Sequence, residues 1–429
     1  MSRLLLRGAA LLGGRLVPDA VVACERERVV WSGPHSDWQA DGWPVPQRLP
    51  DEHTVLPGLV DLHCHGAVGF DFAAAGSASD PGAEGAARAA AFHRSNGTTS
   101  LVASIVSGSD ADTRRCIAAL APLVDDRVLA GLHLEGPYLS PARCGAHDPA
   151  ALRGPDLAEL AAWLELADGR IVHVTIAPEL PGAAAAADLV RQAGATAAVG
   201  HTDADQQTVA EALSAAASDG RPALVTHLFN AMRPLHHRSP GPVGAALWAA
   251  AHGHAVLELI ADGVHVDGAL AATVISLVGA EQVAMVTDAM AATGSGDGDY
   301  RLGGRSVRVS GGVARLVDAG TLAGGTCCLL DIVRRCVGDQ QPAGAGSLSL
   351  AQAVTAASAT PTGVLTAWAG PPPAGRAWSP NPPSHPPLSP GSPADLVVVD
   401  AELRAVRVAV AGRWEETSVT PGGAKPLRD

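Results

Sequence analysis

The sequence predicts an α/β protein, a TIM-like (β/α)8 barrel carrying a small β-sandwich built from both chain termini. Three observations lead there. Short Val- and Leu-rich segments alternate with Ala-rich segments of helical length through the middle of the chain, and strand followed by helix, about eight times over, is the pattern of a parallel sheet with crossover helices. The two ends of the chain instead read as strand after strand, broken by Gly and Pro turns. Finally, His, Asp and Glu residues close many of the apolar segments, which is where this barrel class keeps its chemistry.

Residues 1–55 open with RLLLRGAALLGGRLVPDAVVACERERVVWSG, and ADLVVVDAELRAVRVAVAGRWEE supplies a matching two or three strands within 394–429. The two halves are expected to pair as one small domain. The barrel is expected over 56–366. Its strand segments are TVLPGLVDLHCHG, TTSLVASIV, VLAGLHLEGP, IVHVTIAPE, ATAAVGHT, PALVTHLFNAM, AVLELIADGVHV and QVAMVTDAM, with helical stretches such as PGAEGAARAAAFHRSNG and DADTRRCIAALAPLV after them. Residues 371–393, PPPAGRAWSPNPPSHPPLSPGSP, continue neither helix nor central strand and are expected to form an exposed linker. No internal repeat suggests a solenoid.

At 429 residues the chain can bury a large core. A net charge of -13 and a pI near 5.6 argue against binding a nucleic acid backbone or an anionic membrane surface. An anionic substrate would therefore need a local cluster of cations and backbone N–H groups. The opening MSRLLLRGAALLGGRLV is interrupted by Arg7, Arg15 and two glycines, unlike a secretion signal, and no run is long enough to span a bilayer. The 7 cysteines, an odd number without a zinc-ribbon spacing, suit reduced thiols in the cytoplasm.

The stretch VDLHCHG, residues 60–66, places His63 and His65 one residue apart. In a strand both imidazoles leave the same face while Cys64 turns away, which is how a metal would be gripped. Alone, the pair could be two polar residues at a strand end. It has company, however: Glu135 in HLEGP, His201 in VGHTDA, His227 in THLFNAM, His265 in ADGVHV and Asp288 in VTDAM each end an apolar segment. Imidazole and carboxylate groups hold zinc or iron in hydrolases, where an open coordination position activates water.

These motifs resemble the amidohydrolase superfamily and, within it, are similar to the N-acetylglucosamine-6-phosphate deacetylase family. The likeness runs from about residue 50 to 366 and includes LPGLVDLHCHG, NGTTS, GLHLEGPYLSPARCGAH, VGHTDA, THLFNAMRPLHHRSPGPVGAAL, ADGVHV, VTDAM, GTLAGGT and ASATP. HLEGP, THLFNAM and ADGVHV together are specific to that family, whereas H-x-H belongs to the whole superfamily.

The resemblance implies that Glu135, His201 and His227 hold the principal ion, with His63 and His65 at the positions where the family varies in holding a second. Zn2+ or Fe2+ would be accepted, one or two ions per subunit. It implies Asp288 as acid/base, taking a proton from the attacking water and returning it to the leaving amine, with His265 polarising the acetamide carbonyl. Substrate contacts are implied for Ala146 and His147, for Asn230 and Ala231, and for the loop Leu322, Ala323 and Gly324. Arg238 is implied to reach the sugar phosphate across a homodimer, a task suited to a guanidinium. Arg233, His236 and His237 read more simply as a solvated basic loop, and Cys144 as a plain small residue. Asp288 could instead be a helix N-cap and His265 an inert rim histidine.

Two departures stand out. GTTSLVASIVSG lacks the Pro-Thr that often follows this segment in the family, and 371–393 is unusually long and proline-rich. Competing readings are a deacetylase for another acetamido sugar phosphate, such as the galactosamine epimer; a dihydroorotase-like cyclic amidase, disfavoured by Glu135; and a non-catalytic scaffold, disfavoured because no ligand position is vacant.

Overall fold

The computed structural model describes residues 3–80, 83–218, 220–338, 347–368 and 386–415. Eight parallel strands form the expected barrel: β1 (Leu59–Cys64), β2 (Thr98–Val106), β3 (Gly131–Glu135), β4 (Ile171–Ile176), β5 (Thr196–Val199), β6 (Ala223–Val225), β7 (Ala255–Leu259) and β8 (Val283–Met285). Each neighbouring pair is parallel in chain order. The seam between β8 and β1 is not a regular ladder. A parallel bridge joins Cys64 to Ala289, and the buried Asp61 carboxylate accepts from Thr287 N–H at 3.2 Å, from the Thr287 hydroxyl at 2.6 Å and from His63 N–H at 3.2 Å. A side chain thus stands in for missing ladder bonds, as buried backbone donors require.

The helices follow the strands and dock their apolar sides on the barrel. Several begin at side chains that accept the free N–H groups of the first turn: Ser109 ahead of Asp110–Asp125, Asp156 ahead of Leu157–Ala167, Asp205 ahead of Gln206–Ala216 and Asp267 ahead of Gly268–Val278.

The strand period of two explains the barrel interior. Val102, Leu224 and Val256 belong to one apolar cluster with Leu62, Ala198 and Ala284. Two residues further along the same face stand Ser104, Thr226 and Glu258, all buried. The inner wall therefore changes from apolar to polar towards the C-terminal strand ends.

Both termini build one small domain. Its strands are hydrogen-bonded in the order Arg413–Trp414, Ala405–Val410, Leu396–Val399, Thr54–Pro57, Arg3–Leu12, Arg15–Glu25 and Arg28–Pro34, with Gln47–Arg48 beside Arg3–Leu12. They share a core that includes Leu6, Val22, Val55, Leu396 and Val398, giving the sandwich-like unit expected from the sequence. The segment TVLPGLVDLHCHG, read as one strand, is two. Thr54–Pro57 pairs antiparallel with Leu396–Val399, and the barrel strand starts only at Leu59. Pro57 donates no N–H, and Gly58 lies so close to Thr99 that a Cβ there would stand 2.1 Å from its hydroxyl.

An unanticipated antiparallel sheet, Gly298–Leu302, Arg305–Ser310 and Val313–Leu316, lies between β8 and the helix Leu329–Val337. Its two turns are the pairs Gly303-Gly304 and Gly311-Gly312, all four with positive φ, so GG between alternating runs was the available signal. Of the expected linker, residues 371–385 lie outside the described residues, as do 416–429 of the last segment. Among the described residues no helix is long and apolar enough to cross a membrane.

Candidate metal centre and active site

The polar residues predicted to end the strands converge at one barrel mouth. His63 lies on β1 and His65 just beyond it; their Nε2 atoms are 3.1 Å apart, while Cys64 turns the other way, its Sγ 3.3 Å from His93 Nε2. Glu135 ends β3. Its Oε1 lies 3.0 Å from His201 Nε2 and 2.9 Å from His227 Nε2; its Oε2 lies 3.2 Å from His65 Nε2 and 3.2 Å from His147 Nε2. Asp288 Oδ1 stands 3.1 Å from His65 Nε2 and 3.6 Å from His63 Nε2. Two donor sets result, His63/His65/Glu135 and Glu135/His201/His227, each with its ligand atoms within 4.8 Å of one another. Glu135 belongs to both.

Backbone conformation places these groups. His201, His227 and Asp288 have φ of 46°, 28° and 48°, a left-handed region that non-glycine residues seldom adopt and that concentrates at functional sites. Asp288 is pinned by its N–H donating to His63 O at 2.8 Å, and its own carbonyl accepts from Gly325 N–H at 2.6 Å. A Cβ on Gly324 would meet the Asp288 carbonyl at 2.8 Å, and one on Gly325 the Thr287 carbonyl at 2.3 Å. The GG of GTLAGGT is therefore needed for this close approach.

The donor set suits a divalent cation. His201 Nδ1 lies 2.9 Å from the Arg143 carbonyl, which can only accept, so Nδ1 carries the proton. In the neutral ring the Nε2 lone pair then points at Glu135 and at His227. The Glu258 carboxylate, 3.1 Å from His63 Nδ1, imposes the same tautomer on His63. Electron-pair donors facing one another in a buried site need a positive charge between them, and His₂-carboxylate groups are suited to zinc or iron.

Titration behaviour follows from the same crowding. Burial opposes charge on His63, but Glu135, Glu258 and Asp288 raise its pKa well above the ordinary value. Burial likewise opposes charge on His65, yet Asp288 and Glu135 lift it to about 9. Burial would raise Glu135, but His63 and His147 hold it well below the usual carboxylate range. Asp288, buried too, is held at about 2 by His65 and His63. It is therefore ionised at neutral pH and able to accept a proton.

Beside the carboxylates is a cavity of about 250 Å³. Ala146, His147, Asn230, Ala231, His265, Leu322 and Gly324 all line it, with His65, Glu135, His201, His227 and Asp288 at its floor. His147 accepts from Ser107 N–H at Nδ1, 3.3 Å, so its Nε2–H is turned to Glu135. Ala323, between Leu322 and Gly324, has a buried side chain and donates its N–H to Ala314 O at 3.1 Å. Arg238 is exposed and is absent from the lining, which carries no Lys or Arg among the described residues. Arg233 is half-exposed on an otherwise exposed loop and pairs with Asp203 at 3.0 Å, as Arg143 does at 2.7 Å. His236 and His237 are exposed. Cys144 is half-buried beside Gly145.

Some residues at the site escaped sequence reading. Asp262 holds His265: its Oδ2 accepts from Nδ1 at 2.8 Å, and its Oδ1 from the His265 and Val264 N–H groups at 2.8 and 2.9 Å. Below the ligands run His133, bonded to Ser104 at 2.9 Å and Thr175 at 2.8 Å, and His173, stacked on it at 3.9 Å. Burial holds His173 and His93 near 4, so both are neutral. The signal that could have found Glu258 was a lone carboxylate inside AVLEL, an otherwise apolar central strand.

Residues 54–366 match the model of the amidohydrolase family. The chain is 35% identical over 284 residues to the N-acetylglucosamine-6-phosphate deacetylase of Lysinibacillus sphaericus, covering 65% of this chain and 70% of that one. It is 32% identical over 318 residues to the N-acetylgalactosamine-6-phosphate deacetylase of Escherichia coli O157:H7, covering 72% and 80%. The crystal structure of N-acetyl-D-glucosamine-6-phosphate deacetylase from Mycobacterium smegmatis superposes with a TM-score of 0.81 at 38% identity, over 96% of this chain and 99% of that one.

Proposed function

For a chain that belongs to the amidohydrolase family, we propose metal-dependent hydrolysis of N-acetylglucosamine 6-phosphate to glucosamine 6-phosphate and acetate. The observation that carries the chemistry is Asp288 Oδ1 poised 3.1 Å from His65 and 3.6 Å from His63, in the lining of the cavity. The substrate is that of the sugar phosphate deacetylases to which the chain is similar.

Glu135, His201 and His227 would hold the principal ion, and His63 and His65 with Glu135 a second. Such an ion supplies Lewis acidity and makes water a competent nucleophile near neutral pH. Zn2+ or Fe2+ suits the donors. Asp288 accepts the proton of the attacking water and gives it to the departing nitrogen, so that the amine leaves neutral. His265, oriented by Asp262, donates to the carbonyl oxygen as negative charge develops on it. Asn230, Ala231, His147, Ala146 and the Leu322 and Gly324 backbone enclose the sugar. Arg238 of a second copy supplies the phosphate cation that the cavity's own lining lacks, which makes the working unit a homodimer. The free cysteines suit a reducing cytoplasm.

Acetate release from a panel of N-acetyl amino sugars, with and without the 6-phosphate, tests this reading. The glucosamine 6-phosphate compound is expected to be turned over fastest. Preference for the galactosamine epimer would transfer the assignment to the second relative's substrate, and no turnover of any phosphorylated sugar would overturn it.

A further inference from the structure

We propose that Glu258 is a positioning residue that prepares His63, His65 and Glu135 to hold a second divalent ion, an inference that rests on reading those three as ligands. Glu258 has no place in the chemistry derived above. It is nevertheless a fully buried carboxylate inside a barrel strand, a placement whose desolvation cost demands a compensating role.

Its geometry supplies one. Oε2 accepts from His63 Nδ1 at 3.1 Å and from His227 N–H at 3.3 Å. A carboxylate cannot donate, so the first bond keeps the proton of His63 on Nδ1, turns the Nε2 lone pair towards His65 and Glu135, and fixes the ring plane. Carboxylate–histidine–metal arrangements of this kind also raise the basicity of the ligand. The second bond supports His227, a member of the other donor set, in its φ of 28°. One oxygen atom thus ties together residues of both sets. By contrast, Nδ1 of His65 has no hydrogen-bond partner among the described residues, so protein orientation of the pair rests on His63. The other Glu258 oxygen is buried without a hydrogen-bond partner among the described residues, 3.7 Å from His173 Nε2. The carboxylate is thus held for one oxygen's sake.

The test is metal binding by the full-length protein. Metal-stripped wild type, Glu258→Leu, Glu258→Gln and His63→Asn are titrated with Zn2+ against a chromophoric chelator, and with Co2+ followed by its visible absorption. Wild type is expected to bind two ions. Glu258→Leu is expected to weaken one of them by ~10–100-fold, with a smaller loss at the ion held by His201 and His227, where only a backbone partner is removed. Glu258→Gln keeps an oxygen that accepts both donors and should stay within a few-fold of wild type, with its Co2+ spectrum preserved. Wild-type affinities for both ions in Glu258→Leu, or equal damage in the Gln variant, overturn the positioning role. A wild type that binds one ion, unchanged in His63→Asn, instead overturns the ligand assignment beneath it. If Glu258→Leu does not fold, Glu258→Asp carries the test, because it keeps the charge but withdraws the oxygen; undiminished affinity there also overturns the proposal.

Discussion

The Nε2 atoms of His201 and His227 lie 3.1 Å apart, each also within 3.0 Å of the same Glu135 oxygen. With His201 Nδ1 committed to a carbonyl, its Nε2 lone pair faces the Glu135 oxygen, and that sets the first expectation. Chelator-treated protein should lose deacetylase activity and regain it with a divalent metal, and Glu135→Gln should lower metal content and activity together. Metal analysis alongside acetate release checks this, and full activity in metal-free protein would sink it.

Asp288→Asn keeps the shape of the side chain but cannot take a proton. Because general acid/base work is typically worth 10²–10⁴ in rate, turnover should fall ~100-fold or more with the metal still bound. Metal content measured beside kcat separates this from a damaged site, and near-normal turnover would place the proton elsewhere.

Arg238→Ala should lower kcat/KM for the 6-phosphate sugar ~10- to 200-fold, the span for losing about 1.5–3 kcal/mol of charge-assisted hydrogen bonding. Unphosphorylated N-acetylglucosamine should be affected much less. Kinetics on both sugars, with light scattering on the same preparations, provides the check. Equal losses for both, or a fully active monomer, would show that other groups hold the phosphate.

Burial opposes charge on His265, but Asp262 and more distant Asp288 raise its pKa. Asp262, which burial would raise, is held low by His265 and backbone donors. For His265 the sign is that of a raised folded-state pKa. His265's share of the pair's stability is complete below its unfolded value of about 6.5 and is lost as pH rises through the folded value, while Asp262's share is lost in acid as pH falls through its lowered value. Activity that uses the His265 proton should fall over that alkaline range, and Asp262→Asn should move the alkaline limb of kcat/KM to lower pH. An unmoved limb would dissociate it from His265.

At the barrel seam the Thr287 hydroxyl donates to buried Asp61 at 2.6 Å. Thr287→Val preserves the shape and removes the donor, so unfolding in urea should show a loss of about 1.5–3 kcal/mol, the value for a hydrogen bond to a charged group. A change within error would mean that the two backbone donors to Asp61 suffice.

The sequence by itself determined the strand and helix periods, and with them the barrel, the joined terminal strands and a ring of polar residues at strand ends. Those features are local: alternation turns His63 and His65 to one side and Cys64 to the other, whatever the rest of the chain does. The identity of the donors, too, was legible, because His and Glu announce their chemistry wherever they stand.

Only the tertiary structure decided which of these groups meet. His63 and Glu258 are 195 residues apart, and Asp61 and Thr287 are 226 apart; no period links them. They touch because the eighth strand returns beside the first, and the inner wall turns polar two residues above its apolar layer. The same closure turned Glu258 from an anomaly in an apolar strand into the partner of His63. Position along the chain sets which way a side chain points; closure of the barrel sets what it points at.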